Sequence, residues 1–334
     1  IINGGVLPSP SLCEEIIELN EGEVILDGES LLVAKFSDEE FKILKTEQSI
    51  GGFISHQTKA EYIKINYPWE IFSQNGAAIR SDYDKLTRNR LSEALPESNQ
   101  LIGPRNQLFI EPGASVEGAI LNTNTGPIYI GKDASVMEGA IIRGPFALGH
   151  NGVVKLGAKV YGPTTVGPYA KIGGEVNNSV LFGYCNKGHD GFLGNSVIGE
   201  WCNLGADTNN SNLKNNYAEV RVWNYKLEGF VSTGLQFCGL IMGDHSKCGI
   251  NTMFNTGTVV GVSANIFGAG FPRNFVPSFT WGGPSGMSTY RVKKAFETAE
   301  RVMIRRQKEL DKVERDILEH VFRISSTYRR WEKG

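Results

Sequence analysis

The residue in this sequence best suited to acid–base chemistry is a histidine. His189 stands in Asn186-Lys187-Gly188-His189-Asp190-Gly191-Phe192-Leu193-Gly194, a polar run with glycine on both sides. An imidazole titrates near neutrality and can take a proton from an attacking group, so His189 is the candidate general base. Asn203, Thr208 and Asn212 follow it. Asparagine amides fix sugar hydroxyls or orient a backbone but exchange no proton. The five cysteines, Cys13, Cys185, Cys202, Cys238 and Cys248, are scattered and form no CxxC pair. Neither a disulfide framework nor a cysteine-based metal site is expected, and a reducing cytoplasm fits.

A lone base needs a rigid support, and the sequence supplies one as a repeat. Every sixth residue from Ile130 is apolar: Ile130, Val136, Ile142, Leu148, Val154, Val160, Val166 and Ile172. Small residues recur four positions later (Ala134, Ala140, Ala158, Thr164, Ala170), and glycine often follows the apolar slot, as at Gly131, Gly149, Gly167 and Gly173. The phase runs back through Ile110 and Val116. It resumes at Ile198 and Leu204, then at Met242, Cys248, Phe254, Val260 and Ile266. A period of six fits neither a helix nor a strand. It fits an all-β parallel β-helix of hexapeptide repeats, in which three hexapeptides make one triangular coil with the apolar residue inside. Small residues and glycine suit the corners.

The repeat spans 101–273. Two breaks, 174–197 and 207–240, read as loop insertions, the usual carriers of a site on a solenoid. Residues 1–100 read as a small α+β region: a hairpin turning at Asp27-Gly28, then a helix from Pro68. Gly4-Gly5 and Gly51-Gly52 read as turns. Residues 274–334 form a loop and amphipathic helices, with Ser288 as N-cap and Arg329-Arg330 solvated. The net charge of -2 offers no footprint for nucleic acid. No apolar run is long enough for a membrane span and no signal peptide opens the chain, so no membrane partner is expected. The chain begins at Ile1 inside what reads as a strand end, so further residues are expected upstream.

Gly188-His189, Leu193-Gly194, Ile198-Gly199, Asn203, Gly205-Ala206, Thr208 and Asn212 keep a specific set of offsets. This pattern resembles the left-handed β-helix acetyltransferases. The nearest resemblance is to the acetyltransferase half of the bifunctional UDP-N-acetylglucosamine pyrophosphorylase/glucosamine-1-phosphate N-acetyltransferases, of which the chain looks like a divergent bacterial form. The resemblance implies that His189 deprotonates the amine that attacks acetyl-CoA, and that Asn203 contacts the amino sugar. It implies that Thr208 and Asn212 lie near the acetyl-CoA or sugar, and that Arg273 meets coenzyme A phosphates. A family tyrosine falls at Phe192 and a family lysine that binds sugar phosphate falls at Asn177. Lys187, Tyr184 and Lys214 are the candidate replacements.

The implied function is N-acetylation of a glucosamine-1-phosphate-like acceptor in UDP-N-acetylglucosamine synthesis, by a cytoplasmic homotrimer. The first alternative is a sugar-1-phosphate nucleotidyltransferase whose β-helix only trimerises it. That activity needs a glycine-rich phosphate loop and Mg²⁺, and residues 1–100 hold no such loop. The second is a non-catalytic trimeric scaffold. His150 and His245 lie at corners without the paired histidines that zinc-binding trimeric prisms of the γ-carbonic anhydrase type need, so no metal is expected.

Overall fold

The computed structural model describes residues 1–47 and 52–332, so Gly51 of the expected Gly51-Gly52 turn lies outside the described residues. The chain divides into two compact units, 1–70 and 71–334. In the first, Glu23–Asp27 and Ser30–Lys35 pair antiparallel, and Ile54–Gln57 adds in parallel to Glu23–Asp27. The hairpin turns where expected, with Gly28 at φ 58°. Helix Pro10–Glu18, capped by the Ser9 hydroxyl, places Leu12 in a core with Val6, Leu19, Ile25, Leu32 and Val33.

The second unit is a left-handed parallel β-helix followed by two helices. Its coils build three faces. Among the described residues the first face has nine parallel strands, from Leu108–Ile110 to Phe275–Val276. The second runs from Ser115–Val116 to a closing hairpin, Thr280–Gly283 with Gly286–Thr289. The third runs from Gln100–Ile102 to Phe192–Gly194, and the pair Asn209–Asn210 and Met253–Phe254 follows it in chain order. The hexad residues Ile130 to Ile172 are all buried in one continuous core. Because each coil stacks only on its neighbours, a cavity there has few ways to collapse. Ile142→Ala is therefore expected to cost about 2–5 kcal/mol. It should appear as a lower urea midpoint at unchanged slope, and an unchanged midpoint would remove Ile142 from the core account.

The segment 174–197 is not a loop insertion. It holds regular strands at Glu175–Asn177, Val180–Leu181, Asn186–Lys187, Phe192–Gly194 and Val197–Ile198. The period is lost in the sequence because corners shorten: the inward residues Ile172, Val176 and Leu181 are four and five apart instead of six. The segment 207–240 does leave the prism. After Asn209–Asn210 it forms a hairpin, Arg221–Asn224 with Gly229–Ser232, before re-entering at Leu240.

The C-terminal region holds helices Val292–Ile304 and Lys312–Ile324. Ser288 caps neither. It sits in the closing hairpin and donates to the Trp281 carbonyl, while Asp311 caps the second helix in a reciprocal capping box with Glu314. Arg329 is buried rather than solvated, held by Ser325, the Phe322 carbonyl and Glu332. Among the described residues no helix is long and apolar enough to cross a membrane.

Candidate active site

His189 stands at the corner between the second and third faces, one coil below Asp207. Two glycines let the backbone pass there. A Cβ on Gly191, at φ 112°, would lie 2.2 Å from the Thr208 carbonyl oxygen. A Cβ on Gly174, at φ 67°, would meet the backbone of Asp190 and Gly191 at 2.8 Å. The corner is tied to its neighbours by Asp207 N–H to the Asp190 carbonyl (3.0 Å) and by Phe192 N–H to Asn209 Oδ1 (2.8 Å). The His189 side chain is exposed, and among the described residues its ring makes no hydrogen bond.

Lys187 lies just before this corner and faces inward. It fills the second-face slot between Ile172 and Leu204, in the column of Val116, Val136 and Val154. Only 2% of it is exposed, and its Nζ donates to the His189 carbonyl at 2.6 Å. The expected role of Lys187 as the replacement cation for a sugar phosphate is therefore corrected: the ammonium holds the corner from within. Burial pushes its pKa down to about 8, against the opposing pull of Asp190 and Asp207. An unfolded lysine keeps its proton to about 10.4. Between those values the unfolded state binds more protons, so this group disfavours folding most below pH 8 and less as pH rises. Lys187→Met should therefore be more stable than the parent at pH 7, by about 1–4 kcal/mol. The gap should narrow by pH 9.5 in urea titrations. A methionine variant less stable than the parent at pH 7 would contradict this.

The other expected site residues divide. Thr208 is buried, with its hydroxyl on the Gly205 carbonyl (2.7 Å) and 3.5 Å from Cys248 Sγ. It shapes the corner interior and offers nothing to a ligand, which corrects its expected cofactor role. Asn212 donates to Asn195 Oδ1 (2.8 Å) where the inserted segment leaves the prism. Asn177 is half-buried on the third face, beside Tyr161 and Gly194 in the strand register. Tyr184 and Asn203 do come together, lining one cavity of about 410 Å³ on the second face. Asn203 Oδ1 accepts from Asn186 Nδ2 at 2.8 Å, in a ladder three residues before His189, hence within about 11 Å of it along the chain. Lys214 donates to the Glu219 carbonyl within the inserted segment.

Arg273 lines a separate, larger cavity of about 840 Å³ with Trp223, Phe275, Tyr328 and Arg330. Trp223 stacks on Phe275 at 4.3 Å, and its buried Nε1 has no hydrogen-bond partner among the described residues. The sequence does not announce this cavity, because the inserted hairpin and the C-terminal residues that build it are distant in the chain.

An aromatic column is equally silent in the sequence. Tyr169, Tyr184 and Trp201 stack at 5.2 and 4.0 Å on successive coils, with His150 edge-on at one end and His245 over the other. Tyr169, Tyr184, Trp201 and His245 all have φ near 60°, which the corner imposes at every coil. His245 is thus no exposed corner residue: burial, then Lys247, pushes its pKa down to about 4. Among the described residues no group of three His, Cys, Asp or Glu side chains is placed to hold a metal, and all five cysteines are free.

A family described as sugar nucleotidyl transferase matches residues 1–91. No curated protein matches the sequence. Among solved structures, the chain is similar to the polySia-specific acetyltransferase NeuO at 14% identity and a TM-score of 0.30, over 57% of this chain and 82% of that one. Against an Arabidopsis UDP-N-acetylglucosamine acyltransferase the identity is 14% and the TM-score 0.18, over 60% and 80%. Against a mutant perosamine N-acetyltransferase from Caulobacter crescentus, in complex with CoA and GDP-perosamine, the values are 12% and 0.13, over 74% and 93%.

Proposed function

We propose that the chain is an acetyl-CoA-dependent N-acetyltransferase acting on an amino sugar phosphate of the glucosamine-1-phosphate type, in UDP-N-acetylglucosamine synthesis. The observation that carries this reading is His189: an exposed imidazole on a glycine corner, tied to rigid coils beside the Asn186–Asn203 amide ladder. The match of residues 1–91 to sugar nucleotidyl transferases supports a sugar phosphate as acceptor.

In this reading neutral His189 takes a proton from the acceptor ammonium, leaving an amine lone pair. Acetyl-CoA supplies the acyl group: a C–N bond forms, the thioester C–S bond breaks, and the thiol leaves carrying one proton. Asn203 orients the sugar without exchanging protons. Lys187 holds the His189 backbone from inside the prism. Arg273 and Arg330 receive phosphates of coenzyme A in the aromatic cavity. His189 has no orienting partner among the described residues, and a homotrimer that completes the site from a second subunit fits that gap. Light scattering should give a trimer at micromolar concentration, and a stable monomer would sink the shared site.

A second reading is favoured by the match of residues 1–91: nucleotidyl transfer with the prism as trimerisation scaffold. Mg²⁺ chemistry would need clustered carboxylates, which the described residues do not bring together. Coenzyme A separates the readings. On ours, coenzyme A at 100 times its dissociation constant stabilises the fold by about 2.7 kcal/mol and raises the melting temperature. No shift at millimolar coenzyme A would favour a scaffold.

A further inference from the structure

The second-face cavity that holds Tyr184 and Asn203 is also a meeting point of cations. Its outward ladder runs in register Lys171, Asn186, Asn203, Lys247 across four successive coils. Helix Val292–Ile304 ends over the same face and brings Arg305 and Arg306 to the cavity wall. All four charged residues of the lining are cations and none is a carboxylate. Among the described residues none of the four is in an ion pair, and the Lys247 ammonium donates to the His245 carbonyl at 2.9 Å. A helix C-terminus favours nearby cations, which accounts for Arg305 and Arg306 but not for the two lysines on the prism. Asn203, with Oδ1 already accepting from Asn186, keeps its Nδ2 as a donor at the same wall. Burial, then the charges of Arg306, Lys155 and Arg305, lowers the Lys171 pKa, as expected where like charges converge without a counter-ion.

We infer that this cavity is a phosphate-binding site, with Lys171, Arg305, Arg306 and Asn203 as donors to a phosphate or pyrophosphate group. Convergent cations without a carboxylate repel one another until an anion sits among them, and a phosphate accepts several charge-assisted hydrogen bonds at once. The inference rests on the proposed function and deepens it. It gives the acceptor's phosphate a place that neither Asn177 nor the inward Lys187 provides, beside Asn203 and a few residues from His189.

The test is calorimetric titration of the full chain with inorganic pyrophosphate, in the parent, Lys171→Met and Arg306→Gln. Removing one charged donor should weaken binding roughly 10- to 100-fold. Added salt should weaken the parent as well. Pyrophosphate that does not bind the parent at millimolar concentration, or variants that bind as tightly as the parent, would overturn the site. An unchanged melting temperature in the variants separates a missing donor from an unfolded chain. Variants that unfold leave Lys171→Arg as the deciding protein, and failure of that variant to retain binding would also count against the site. Competition by glucosamine 1-phosphate but not glucosamine assigns the site to the acceptor. Competition by coenzyme A but not dephospho-coenzyme A assigns it to the cofactor's 3′-phosphate. His189→Ala should bind pyrophosphate like the parent, so failure of the acetyl-transfer reading and failure of this site give different results.

Discussion

His189→Ala should lower turnover about 10²–10⁴-fold, the usual scale for a positioned general base. The acceptor amine arrives as an ammonium with no lone pair to attack a thioester, so a mutant without the imidazole depends on water to remove the proton. The side chain is exposed and its ring makes no hydrogen bond among the described residues, so stability should be unchanged. Coenzyme A affinity should also hold, because the base is not asked to make a ground-state contact with it. Thiol release gives the turnover and calorimetry the affinity, with oligomeric state checked in both proteins. Loss of turnover together with loss of coenzyme A binding would place His189 in binding rather than in proton transfer.

The prism is legible because its physics is periodic. A residue that must face a narrow core every sixth position leaves a mark that composition cannot imitate, and the slots from Ile130 to Ile172 are all buried. The same period holds information that a loop reading of 174–197 hides. Lys187 lies six residues after Leu181 and six before Leu193, so the repeat itself places its side chain inward. The corners shortened around Val176 break the count, and the lysine then passes for a phosphate-binding cation. Thr208 misleads for a related reason: its hydroxyl is satisfied by a corner carbonyl, a local bond that a spacing match does not reveal. The cations at Arg305 and Arg306, and the cavity around Arg273, depend on segments that meet only after the chain has turned through many coils. No local pattern carries such contacts.

Replacing both Arg273 and Arg330 by alanine should weaken coenzyme A binding by roughly 10- to 100-fold for each guanidinium–phosphate hydrogen bond removed. The cavity of about 840 Å³ has the size of a small-molecule site, and its walls are aromatic with two guanidinium groups. Trp223 Nε1 is buried and without a partner among the described residues, and in the proposed reading it would donate to a bound coenzyme A. The cavity adjoins the last coils of the prism, about 14–19 Å along the axis from the His189 corner at the usual strand spacing, a span suited to an extended pantetheine arm. The Michaelis constant for acetyl-CoA should rise while turnover at saturation holds, since these contacts are equally present in ground and transition states. A double variant with unchanged affinity would move the cofactor elsewhere on the prism.

The most direct measurement is thiol release from acetyl-CoA by the parent chain with glucosamine 1-phosphate, and product mass measured in the same samples. The account predicts one thiol per acceptor consumed, a product heavier by one acetyl group on nitrogen, and loss of both signals in His189→Ala. Coenzyme A that binds while no amino sugar phosphate is acetylated would contradict it.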